Sequence, residues 1–154
     1  MLRGLLVGAA AGAAGTTALN AVTYLDMALR GRASSSTPQD TVEALARKAG
    51  VTIPGDQVSR DNRVEGLGPL TGIATGVAVG ALMGLLRAIG FTSPPALTAI
   101  IAGSAAMALS DGSMASLGVS DPRTRTAKDW LSDALPHASY GAVVTAVLHT
   151  IDAR

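Results

Sequence analysis

Any chemistry in this chain has to come from a few acidic and imidazole side chains set among apolar sequence. Asp129, Asp133, His137 and Tyr140 follow one another in steps of four, four and three, a spacing that places them along one face of a helix. A carboxylate and an imidazole at i and i+4 can share a proton or a metal ion. Two aspartates and one histidine do not specify a metal, and a polar helix face at a lipid interface explains the same spacing more simply. Asp111 is the second candidate, flanked by Ser110, Gly112 and Ser113 after a long apolar run. It suits a proton or cation ligand in a broken helix, and suits equally a cap on a helical segment that begins at Gly112. Asp111, Asp129, Asp133 and His137 are therefore the candidate proton or cation site. There is no Ser/His/Asp arrangement, no HExxH and no phosphate-binding loop, so the chain offers no catalytic residue. Without cysteine it has no disulfide and no thiolate. No cofactor or metal is expected.

The elements that must position these groups are apolar helices. Of the 154 residues 48% are hydrophobic and 15% charged, where soluble domains carry roughly 25% charged residues. From Gly4 to Leu25 the only ionisable group is Tyr24. From Gly66 to Ala88 it is Arg87, and from Gly90 to Ser110 there is none. Runs of about 20 such residues match the thickness of a bilayer core. A net charge of +1 argues against nucleic-acid binding. The expectation is an all-α integral membrane bundle of about four transmembrane helices and two short amphipathic loop helices, forming one domain. The spans fall near 4–27, 67–89, 96–117 and 136–151; three spans with a terminal half-helix is the alternative. For the first run, a secretory signal built on Arg3 and Leu5 to Ala11 is the rival reading, but the apolar character continues too far.

The amphipathic helices are expected at 38–49 and 127–135. Thr37 would cap the first, with Pro38 opening it and Gly50 ending it, and Val42, Leu45, Ala46 and Ala49 would form its apolar face. It would lie on the membrane surface, cap the bundle or remain a solvated loop helix. Thr126 and Asp129 form a capping box for the second, and Pro136 should kink the chain where the last span begins. Ser110 to Ser113 should interrupt the third span. Span, polar loop and span thus occur twice, as a weak two-plus-two repeat.

Gly68, Gly72, Gly76, Gly80 and Gly84 recur every four residues, and Gly4, Gly8 and Gly12 repeat the pattern in the first span. Such rows leave a groove that another helix backbone can approach closely. The partner can be internal or another chain. Thr16, Asn20, Thr23 and Tyr24 suit hydrogen bonds between helices, and Asp26 suits pairing with Arg30.

The segments Ser36–Leu45, Gly72–Gly76, Leu117–Arg123 and Asp129–Asp133 with Pro136-His137 resemble a family of small multi-pass membrane proteins of actinobacteria, known only as hypothetical membrane proteins. The likeness runs over nearly the whole chain and implies a plasma-membrane location, but no activity. Nine Lys and Arg residues fall in the loops 30–65 and 118–135, against Arg3, Arg87 and Arg154 elsewhere, a bias that favours cytoplasmic loops. Taken together, these features point to a non-enzymatic membrane protein, surrounded by lipid and joined to other membrane chains or to its own copies. A small proton- or cation-linked transporter or channel is the alternative. An intramembrane enzyme acting on lipid is the weakest reading, since neither polar site has a nucleophile beside a base.

Overall fold

The computed structural model describes residues 1–152, which contain helix and turn and no strand. Five α-helices follow in order: α1 (Leu2–Arg30), α2 (Thr37–Ala49), α3 (Gln57–Ala88), α4 (Pro95–Ser116) and α5 (Ala127–Asp152), with a 3-10 turn at Pro122–Thr124. Gly31 and Gly50 adopt left-handed conformations, with φ of 61° and 66°, and so end α1 and α2.

The start of α2 differs by one residue from the capping expectation. Ser36 precedes the helix, and its hydroxyl donates to the Asp40 carboxylate at 2.9 Å. α3 begins well before residue 67, because Asp56 caps Gln57 onward by accepting the Ser59 amide at 2.8 Å. The polar residues 57–65 are its first turns rather than loop. The expected break at Ser110–Ser113 is absent: α4 runs through it, and the Ser113 hydroxyl donates to the Ser110 carbonyl at 2.7 Å. Likewise α5 is one continuous helix across Pro136, so the separate amphipathic helix 127–135 and the span 136–151 are two halves of one element.

Among the described residues three helices, α1, α3 and α4, are long and apolar enough to cross a membrane, not the four expected. α5 is long enough, at roughly 39 Å for its 26 residues. It is set apart by the Lys128, Asp129, Asp133 and His137 that its first half carries.

The glycines decide how these helices meet. α1 and α3 run antiparallel with their backbones in contact. A Cβ built on Gly8 would lie 2.9 Å from the Gly84 Cα, and one on Gly12 would lie 3.0 Å from the Val77 Cα. Gly76, Gly80 and Gly84 thus meet Gly4, Gly8, Gly12 and Thr16 of the same chain. The other two glycines of the row do not join this seam: Gly68 receives Pro38 of α2, 3.1 Å from its notional Cβ, and Gly72 faces open space. A second close crossing joins α4 and α5, where a Cβ on Gly141 would come within 2.8 Å of the Gly103 amide nitrogen. Between the two crossings Ala11, Val79, Met83, Ala102, Ala106, Tyr140, Val144 and Leu148 form the core.

α2 packs through Thr41, Val42 and Ala44 onto α3, while Leu45 stays 45% exposed. Its expected apolar face is therefore rotated, and α2 caps the polar end of α3. That end also gathers the second polar segment, since Arg30 donates to the Ser132 hydroxyl at 3.2 Å. Arg3 and Arg87 lie at the opposite end, and Arg154 lies outside the described residues. Each half of the chain is an antiparallel hairpin, but only the first loop holds a separate helix.

The contrast between Gly80 and Gly72 is testable. Gly80→Ala should cost about 1–3 kcal/mol, because its methyl group would overlap the α1 backbone. Gly72→Ala should be neutral or slightly stabilising, since it removes only a poor helix former. Unfolding in a denaturing-detergent titration measures both.

Candidate functional site

Two of the sequence-derived candidates converge, and the residue that joins them is Arg125. The local sequence fixes its backbone from both sides. Upstream, the Asp121 carboxylate accepts the Arg123 amide at 2.9 Å and stabilises the 3-10 turn. Downstream, Thr126 and Asp129 cap α5 reciprocally: the Thr126 amide donates to the Asp129 carboxylate at 2.9 Å, and the Asp129 amide to the Thr126 hydroxyl at 3.3 Å. Arg125 lies between these two locked corners in an extended conformation, with φ −71° and ψ 135°.

Its guanidinium forks onto Asp111 of α4, Nη1 to Oδ2 at 2.9 Å and Nη2 to Oδ1 at 2.8 Å. Nη1 also reaches Asp133 Oδ2 of α5 at 3.0 Å, and Nη2 the Ser120 hydroxyl at 3.3 Å. The Trp130 ring lies 5.2 Å beneath the guanidinium carbon, within cation–π range. The Arg125 and Asp111 side chains are 16% and 10% exposed. A planar, bidentate pair held this far from water is the strongest kind of charge-assisted contact. The hydrogen bonds that Arg125 donates to Asp111 outweigh burial and hold the guanidinium pKa above its already high value, so Arg125 remains a fixed cation.

His137 completes the cluster. Its Nδ1 lies 2.8 Å from the Asp133 carbonyl and 3.1 Å from Asp133 Oδ1. Both partners are acceptors, so Nδ1 carries the proton and Nε2 is the ring's second position. Among the described residues, no group of three or more His, Asp or Glu side chains is placed to hold a metal ion. Chemically the arrangement is a chain of alternating acidic and basic groups, carboxylate, guanidinium, carboxylate and imidazole, held together by the Arg125 cation.

The remaining candidates lie elsewhere. Asp129 is spent on the α5 cap, and its partner Thr126 holds the carboxyl below the usual range. Tyr140 turns away from His137 and donates to the Gly76 carbonyl of α3 at 2.6 Å. Asp111 is neither a cap nor a break, but an interior residue of α4 aimed at the loop. Thr16 and Thr23 bond back to the Gly12 and Leu19 carbonyls of their own helix instead of bridging helices. Asp26 does pair with Arg30, at 3.3 Å, and more closely with Arg32, at 2.6 Å. Arg125 itself is the residue that sequence reasoning missed. It stands in an irregular loop, 14 and 8 positions from its partners, where no helical or strand period links it to them.

No protein-family model, no curated protein and no solved structure matches the chain.

Removing one partner of a buried charge pair leaves the other uncompensated. Asp111→Asn and Arg125→Met should each destabilise the bundle by about 3 kcal/mol, and the double variant by clearly less than the sum of the two. A double-mutant cycle on unfolding midpoints reads the coupling directly.

Proposed function

We propose that this chain is a non-enzymatic multi-pass protein of a bacterial plasma membrane that works as an oligomer or as an accessory subunit of a larger membrane complex. The observation that carries this reading is the outer face of α4. α4 packs on α5 and, less extensively, on α3. On its other face Ser104, Ala108 and Gly112 follow one another at steps of four, all exposed. A Cβ on Gly112 would meet nothing within 4 Å. Small residues in such a row let a second helix come close enough for backbone contacts in lipid. This face takes over the role first expected of the Gly68–Gly84 row, most of which is spent inside the chain.

The apolar lengths of α1, α3 and α4 support burial in lipid, and α5 lies at their depth because it packs along α1 and α4. The polar segments gather at one end of the bundle, with the excess of Lys and Arg that favours the cytoplasmic side.

A second reading, proton- or cation-linked transport, draws on the convergence of Asp111, Asp133 and His137. In that arrangement the Arg125 guanidinium already occupies the place a bound cation would take, which favours the first reading.

The subunit reading makes a direct demand. Extracted in a lipid-preserving polymer, the protein should have a mass above that of one chain, and Ala108→Leu should reduce it to a single chain. A monomeric wild type, or an unchanged mass in the variant, would contradict it.

A further inference from the structure

α5 is not among the helices that composition alone marks as membrane-crossing. Composition weighs every residue alike, whereas lipid meets only the outward ones. Over residues 130–149 every exposed position of α5 is Trp, Leu or Ala, from Trp130 and Leu131 to Ala142 and Ala146. The polar side chains of the same stretch are turned into the bundle or onto their own helix. Asp133 bonds Arg125 and His137, and Ser139 donates to the Pro136 carbonyl at 2.6 Å. Tyr140 donates to the Gly76 carbonyl, and Thr145 is 5% exposed. Three features bear on what covers the outward face. Residues 130–149 rise about 30 Å along the helix axis, the thickness of a bilayer's hydrocarbon core. α5 packs along α1 and α4, both apolar enough to cross a membrane. The apolar face also begins at Trp130, directly after Lys128 and Asp129, and tryptophan favours the boundary between membrane and water.

We infer that the outward face of α5 lies against lipid acyl chains, from a boundary at Trp130 to the level of His149. α5 then crosses the bilayer beside α1, α3 and α4, and the bundle itself keeps its polar residues from lipid. Charged groups at such depth are tolerated when they face the bundle interior and bond one another, as Asp111, Arg125 and Asp133 do. The competing occupant is a helix of another chain seated on the exposed alanines. The inference rests on the bundle lying in a membrane, and it does not depend on the oligomeric state.

The chain has no cysteine, so single-cysteine variants of the full protein can carry a nitroxide label at a chosen position. In vesicles of phosphatidylglycerol and phosphatidylcholine, collisions with dissolved oxygen report acyl chains, and collisions with a water-soluble nickel chelate report water. At Ala138→Cys and Ala142→Cys oxygen should exceed the chelate severalfold, and at Lys128→Cys, beyond Trp130, the chelate should prevail. Leu82→Cys, on the exposed side of α3, is the reference for a helix in lipid. Chelate access at Ala138→Cys and Ala142→Cys, with Leu82→Cys still in lipid, would place the face of α5 in water and overturn the inference alone. Low collision rates with both reagents at these two positions would show a covering protein chain and overturn it equally. Chelate access at Leu82→Cys would instead remove the membrane reading itself, and the inference with it.

Discussion

Contact between the backbones of α1 and α3 is the constraint on which the rest of the molecule depends. Gly8, Gly12, Gly80 and Gly84 bring the two helices so near that not even a methyl group fits between them. In lipid, apolar side chains gain nothing by leaving solvent for a partner, so close van der Waals contact has to do the work of holding helices together. The seam fixes the antiparallel register of the first hairpin. That register places Gly76 beneath Tyr140, and Gly15 against the ring of the same tyrosine and Val144. α5 is thereby set against both partners, and α4 follows through the Gly103–Gly141 crossing.

The charge cluster is a consequence of this order. α4 and α5 are anchored to each other through the Gly103–Gly141 crossing, and their polar ends bring the Asp111 and Asp133 carboxylates together at Arg125. Two negative charges facing each other at partial burial would repel, and Arg125 offsets this with a planar cation that bonds both. The loop thus contributes the group that makes the helix pair electrically tolerable. His137 extends the network one turn deeper along α5.

How far this could be read from sequence depends on the range of each interaction. Helix positions were legible because apolar runs and capping residues act locally: Gly50 ends α2 where expected, and Thr126 with Asp129 opens α5. The long start of α3 was hidden because its first turns are polar and hold no apolar stripe. Ser110–Ser113 looked like a break since its residues favour turns, yet the Ser113 hydroxyl bonds back to the helix and leaves it intact. Periodicity exposed the glycine row but not its partner: the same spacing serves α1 at Gly80, α2 at Gly68 and no neighbour at Gly72. Asp111 and the Asp133/His137 pair were visible as separate candidates. Their union through Arg125 was not, because pairing across a loop leaves no period to detect.

The central claim is that the glycine seam is internal to one chain, and isotope-diluted solid-state NMR in lipid tests it most directly. Protein labelled at glycine and mixed with a large excess of unlabelled chains should retain the Gly8–Gly84 and Gly12–Gly80 cross-peaks at full relative intensity, since both partners belong to the same molecule. Loss of those cross-peaks on dilution would show that α1 and α3 meet across different chains, and would contradict the account.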